Sequence, residues 1–137
     1  MTAIVVDASV ALTWCFADEA AADTDAILDR LKAFGAFVPS LWHIEMANVL
    51  LMAERRGRTI VGGLVARLDL LAQLPITTDT ETTSRAWREI VGLARTELMT
   101  TYDAAYLELA MRRGVPLATR DADLAKAARR AGVSVLP

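Results

Sequence analysis

The chain has 137 residues, 54% hydrophobic and 23% charged, with a formal net charge of -2 and a pI of about 5.4. This describes a single domain over 1–137 with one real core; it excludes a disordered chain and a protein that grips nucleic acid through bulk positive charge. No apolar window reaches the roughly 18 residues of a membrane span, and Asp7 interrupts the N-terminal run before it can act as a signal sequence, so a cytoplasmic protein without membrane attachment is expected.

Ile4, Val5 and Val6 open the chain as a β-branched run without polar alternation, which suits a strand covered on both faces in the middle of a parallel sheet. Asp7 then stands at its C-terminal end. Ser9 to Phe16 reads as a short helix; Cys15, the single cysteine, lies there between Trp14 and Phe16 and reads as core. Ala20 to Phe34 is a longer helix closed by Gly35, and Phe37-Val38 is a brief strand. Pro39-Ser40 opens the next helix, Leu41 to about Arg56, with Ser40 as its cap. Val61, Leu64, Val65, Leu68 and Leu71 give helical spacing over Ile60 to Gln73, where Gly62-Gly63 would permit close helix packing.

Leu74 to Thr77 is a third strand, and Asp79 or Thr80 starts a helix reaching about Glu97. A helix from Tyr102 to Arg113 ends at Gly114, Val115 to Thr119 is a fourth strand, Ala122 to Ala131 a helix, and Val133 to Leu136 the last strand. Strands alternating with helices, without a hairpin signal, predict an α/β fold: a parallel sheet of about five short strands with helices on both faces. All but Lys32 and Lys126 of the 15 basic residues are arginine. The clusters Arg55-Arg56-Arg58, Arg112-Arg113 and Arg129-Arg130 fall near helix C-termini, where cations favour the macrodipole; phosphate contact is a second use.

Most of the 17 acidic residues, Glu108 among them, sit with polar neighbours and read as solvated. Four do not. Glu45 lies in Leu41-Trp42-His43-Ile44-Glu45-Met46-Ala47-Asn48, a segment apolar nearly all round and expected to be buried, with Asn48 one turn on as the residue to hold the carboxylate. His43, on another face, reads as an ordinary core or surface residue. Asp103 falls in Thr100-x-x-Asp103, which resembles a capping box, and Asp7 and Asp121 each follow a strand where an N-cap is expected. If the first and fourth strands are neighbours where strand order reverses, Asp7 and Asp121 open into one crevice. Each acid has a separate structural explanation; the functional one is shared. An all-oxygen cluster suits Mg²⁺ or Mn²⁺ rather than Zn²⁺, and such an ion gives an acidic protein a local means of receiving a polyanion.

Four segments together, Val5-Val6-Asp7-Ala8-Ser9-Val10, Pro39-Ser40 through Glu45 and Asn48, Tyr102-Asp103-Ala104-Ala105-Tyr106-Leu107-Glu108-Leu109-Ala110, and Leu117-Ala118-Thr119-Arg120-Asp121, resemble the PIN-domain nucleases and most closely the VapC toxins of toxin-antitoxin pairs. The resemblance implies a Rossmann-like sheet, an Mg²⁺- or Mn²⁺-dependent endoribonuclease acting on RNA, a homodimer, and inhibition by a VapB-type antitoxin. It implies Asp7, Glu45, Asp103 and Asp121 as catalytic residues, with Asp7, Asp103 and Asp121 as metal ligands and Glu45 orienting the attacking water or a second ion. Ser9 and Thr119 would hydrogen-bond the carboxylates or the scissile phosphate; Asp123 is an alternative that would replace or assist Asp121, but its place inside the helix favours a solvated role. Two other classes compete. An aspartate-based phosphatase or receiver domain lacks support from a second aspartate after Asp7 or a lysine after a late strand. A non-catalytic interaction module would use the apolar helices from Leu41 to Leu74 as a partner surface.

Overall fold

The computed structural model describes residues 1–58 and 61–137. Five parallel strands, β1 (Ile4–Val6), β2 (Ala36–Val38), β3 (Ile76–Thr78), β4 (Leu117–Ala118) and β5 (Val135–Leu136), form one sheet in the order β3-β2-β1-β4-β5. Ile4, Val5 and Val6 are 0% exposed, as their unbroken β-branched pattern requires of a central strand. Between the strands run α1 (Ala8–Ala11), α2 (Ala22–Phe34), α3 (Leu41–Arg55), α4 (Val61–Ala72), α5 (Thr82–Arg85), α6 (Val91–Glu97), α7 (Thr101–Arg113) and α8 (Ala122–Arg130). Strand order reverses after β3, so right-handed crossovers carry α1 to α4 over one face and α5 to α8 over the other. Among the described residues no helix is long and apolar enough to cross a membrane.

The elements follow the predicted order, and their ends shift for local reasons. The first helix is only α1, continued by a 3₁₀ turn over Leu12–Trp14. β3 begins two residues late because the Leu74 amide still closes the end of α4 on the Leu71 carbonyl and Pro75 has no amide to give. The Pro75 carbonyl instead accepts from Ala36, and it approaches so closely that a Cβ on Gly35 would lie 3.3 Å away; with φ +82 at Gly35, glycine is required there. The helix expected from Asp79 starts at Thr82 and passes through a π-helical turn over Ala86–Ile90 before α6. Ser40 occupies the N-cap of α3 without a side-chain capping hydrogen bond. Ile60, the predicted start of the next helix, lies outside the described residues.

Three packing expectations are corrected. α3 is not buried all round: Trp42, Met46 and Leu50 face the core, while His43 and Asn48 are exposed and Ile44 is 74% exposed. The apolar stripe of α4 buries Leu71 and leaves Val65 and Leu68 exposed, and Gly62 faces open space rather than a neighbouring helix. Glu108 is 7% exposed, drawn inward by Arg112.

Leu98 closes α6 in the left-handed region (φ 55, ψ 47), where a Cβ is unfavourable. It is 93% exposed, so its side chain packs against little that offsets the strain. Leu98→Gly is expected to stabilise the fold by about 0.5–1 kcal/mol; a lower urea midpoint for the variant would contradict this.

Candidate active site

β1 delivers Asp7 to the C-terminal edge of the sheet, and the Asp7 amide donates to the Ala118 carbonyl at 3.1 Å, which ties this edge to β4. As N-cap of α1 the Asp7 carboxylate accepts from the Val10 amide at 3.2 Å. It also accepts from the Ser9 hydroxyl at 2.6 Å and the Thr119 hydroxyl at 2.5 Å. Both hydroxyls are themselves oriented: Ser9 Oγ accepts from the Arg120 amide at 2.9 Å, and Thr119 Oγ1 from the Asp121 amide at 3.0 Å. The β4–α8 loop thus aims two donors at one carboxylate that is only 6% exposed. Capping and site-building are one arrangement here.

Asp121 is the N-cap of α8, accepting from the Leu124 amide at 2.9 Å, and is otherwise exposed. Because β4 lies beside β1, Asp121 and Asp7 reach the same crevice, where strand order reverses. Asp103 sits in the first turn of α7, its amide donating to Thr100 Oγ1 at 3.1 Å as the capping-box pattern requires, and its carboxylate is half-buried. Glu45 enters from α3, half-buried, and accepts from the Tyr106 hydroxyl at 2.5 Å. Tyr106, one turn beyond Asp103 on α7, therefore takes the place expected of Asn48.

These carboxylates feel one another. Burial raises the Asp7 pKa against the pull of its hydrogen bonds. Burial raises that of Glu45, opposed by the Tyr106 hydroxyl and reinforced by the charges of Asp7 and Asp103. Burial, then the charges of Asp121 and Asp7, raises that of Asp103. Burial, with mutual repulsion at Glu45 and Asp103, disfavours the charged forms of these carboxylates, a condition that a cation relieves. Among the described residues no group of three or more Asp, Glu, His or Cys side chains is placed to hold a metal ion. The donors suit an ion that keeps several waters and takes one or two carboxylates, as Mg²⁺ does.

Of the other residues singled out, Asp123 is exposed in the first turn of α8. His43 is exposed and meets Trp42 edge-on with ring centroids 5.0 Å apart. Cys15 is buried, with burial pushing its thiol pKa up. The hollow of about 490 Å³ among Met111, Gly114, Pro116, Gly132 and Val133 lies at the opposite edge of the sheet and has no charged side chain in its lining.

Sequence reasoning missed Tyr106, although its i+3 spacing from Asp103 places both on one face of α7. Tyr106→Phe leaves Glu45 without its donor and removes one hydroxyl from a residue only 2% exposed. The expected result is a fall in turnover of roughly 10-fold or more with little change in KM. An unchanged turnover number would show that the hydrogen bond does not position Glu45.

The PIN domain family model matches residues 4–130. PAE2754 from Pyrobaculum aerophilum is similar in fold, 21% identical, with a TM-score of 0.71 over 98% of this chain and 89% of that one. FitAcB from Neisseria gonorrhoeae is 18% identical, with a TM-score of 0.55 over 98% of this chain and 96% of that one. A comparison with curated protein sequences finds no match. With the family model spanning nearly the whole sheet and every helix described above, this chain belongs to the PIN domain family.

Proposed function

We propose that this PIN domain is an Mg²⁺- or Mn²⁺-dependent endoribonuclease, the toxin of a VapBC-type pair, working as a homodimer held in check by a VapB-type antitoxin. PIN domains are in general nucleases that use divalent ions. The observation that carries the reading is the gathering of Asp7, Glu45, Asp103 and Asp121 from four separate elements into one crevice, where Asp7, Glu45 and Asp103 are destabilised as anions.

Asp7, Asp103 and Asp121 would hold the ion, directly or through water. When bound, it supplies charge neutralisation for the incoming phosphodiester and acidifies water. Ser9, Thr119 and the Val10 amide keep Asp7 in a single orientation, so this carboxylate arrives preorganised. Tyr106 occupies one oxygen of Glu45 and leaves the other to orient a water and accept its proton. The water oxygen bonds to phosphorus as the bond from phosphorus to the leaving sugar oxygen breaks, and no covalent enzyme intermediate forms.

The test is cleavage of single-stranded RNA by the purified chain with Mg²⁺, with EDTA, and with Mg²⁺ restored. Loss and recovery of cleavage is expected. Undiminished cleavage in EDTA would overturn the reading. Suppression of the chain's growth toxicity by the product of a neighbouring small reading frame tests the antitoxin.

A further inference from the structure

Arg120 stands between Thr119 and Asp121 in the β4–α8 loop, exposed, and its guanidinium makes no hydrogen bond or ion pair among the described residues. Its backbone, by contrast, is fixed. The Arg120 amide donates to Ser9 Oγ at 2.9 Å, and the Ser9 hydroxyl donates in turn to the Asp7 carboxylate at 2.6 Å. A free cation is thus rooted two hydrogen bonds away from the most buried acid of the crevice.

Neither helix capping nor a local counter-ion accounts for it. Arg112-Arg113 and Arg129-Arg130 fall in the last turns of their helices, where a cation favours the macrodipole. Arg120 precedes the N-cap of α8, the end where a cation is unfavourable. A hollow of about 470 Å³ opens against Ser9 and is lined by Arg120, Asp18, Glu19, Ala20 and Ala21. Two carboxylates therefore share the hollow with Arg120, yet both are taken by Arg58, at 2.9 Å to Asp18 and 3.3 Å to Glu19, with the Arg58 guanidinium lying over the Phe16 ring at 4.1 Å. Arg58 offsets the acidic wall, and Arg120 is left for a ligand.

We infer that Arg120 grips the phosphate next to the scissile one, so that the RNA strand leaves the carboxylate crevice past Ser9 and its adjoining nucleotide settles in this hollow. The inference rests on the nuclease reading above and gives the strand a path. A guanidinium forks onto two phosphate oxygens, carries a permanent charge, and sits on a stem long enough to reach one nucleotide beyond the acids. The scissile phosphate falls to the ion; Arg120 sets the register of the strand relative to it. Ala20 and Ala21 bring no long side chain into the hollow, which leaves room for sugar and base. A chain of net charge -2 has no bulk attraction for a polyanion and needs a local cation of this kind.

Arg120→Gln removes the charge from an exposed side chain and keeps the backbone amide on Ser9, so circular dichroism and melting are expected to match wild type. Two readouts test the contact: KM and kcat for single-stranded RNA with Mg²⁺, and the affinity of the protein in EDTA for a labelled single strand over a KCl series. For Arg120→Gln, KM is expected to rise roughly 5-fold with kcat nearly unchanged, the pattern of binding shared by ground state and transition state. The slope of log affinity against log salt is expected to fall by about 0.7, the increment for one phosphate contact on a single strand. Arg120→Lys should keep the slope. Arg129→Gln removes the same charge near the C-terminus of α8 and should match wild type in both readouts.

An unchanged KM and slope in Arg120→Gln overturns the assignment. So does an equal change in Arg129→Gln, which would reduce the effect to net charge. A fall in kcat at constant KM would move Arg120 onto the scissile phosphate and overturn its place on the neighbouring one. Wild type that binds RNA with an Arg120-dependent slope but cuts none with Mg²⁺ refutes the nuclease reading and leaves the phosphate contact standing; cleavage with no dependence on Arg120 does the reverse.

Discussion

Asp7→Asn is expected to lower RNA cleavage by roughly 10²–10³-fold while leaving the fold intact. Asparagine is close to isosteric, and its carbonyl can still accept from the Val10 amide or the Ser9 hydroxyl while Thr119 turns to accept from the new amide. What disappears is the buried negative charge. The same change should stabilise the protein in EDTA at neutral pH. Burial raises the Asp7 pKa in the folded state, so its contribution to stability is complete below the unfolded value near 3.8 and is lost as pH rises through the folded value. Glu45 and Asp103 are raised for the same first reason, so metal-free wild type should lose stability as pH climbs from the acid range toward neutral. Mg²⁺ should flatten that slope in wild type and do so less in Asp7→Asn. Full cleavage by the variant at equal Mg²⁺, with its melting unchanged by EDTA or Mg²⁺ relative to wild type, would remove Asp7 from the site.

The largest stability effect is expected on the other flank of the sheet, at Arg112. Its guanidinium donates to both oxygens of Asp79 at 3.0 and 2.8 Å, to both oxygens of Glu108 at 2.9 and 3.2 Å, and to Glu81 at 3.1 Å. The Asp79 side chain is 0% exposed and that of Glu108 9%. Arg112→Met leaves Asp79 with the Thr82 hydroxyl at 2.7 Å, the Glu81 backbone amide and a distant Arg113 at 3.7 Å, which together do not compensate a charge so deeply buried. Removing one member of a buried pair costs about 3–5 kcal/mol, measurable by urea unfolding at pH 7. Adding Asp79→Asn to Arg112→Met should recover part of the loss, because the stranded charge goes with it.

The pH dependence of this cluster runs opposite to that of the crevice. Arg112 holds the Asp79 carboxyl down to about 2 from 3.8, so its contribution is present above the unfolded value and is lost as pH falls through 2. Wild type should therefore lose stability between about pH 4 and 2 by a step that Arg112→Met lacks. A loss below about 1 kcal/mol for Arg112→Met at pH 7, where surface pairs fall, would show that the cluster is solvated. The cluster also fastens the end of α7 to the β3–α5 loop, and α7 carries Asp103 at its other end.

The sequence by itself determined the order of strands and helices, the burial of Ile4 to Val6, and the helix stops at Gly35 and Gly114, because periodicity, β-branching and capping are written in neighbouring residues. It also marked the acids that follow strands or open helices, and it made Glu45 conspicuous by its apolar company. Only the tertiary structure decided that β4 lies against β1, which brings Asp121 and Thr119 to Asp7 across more than a hundred residues. It alone decided that Tyr106, 61 residues on, holds Glu45, and that Arg112 draws Asp79 inward from 33 residues away, taking Glu108 with it. Which of the apolar helical stripes meets solvent was likewise settled by packing: α4 shows the same spacing whether Val65 is covered or not. Local propensity acts over a turn of helix or a few residues of strand, whereas a buried charge selects its partner by proximity in space, and proximity exists only once the chain has folded.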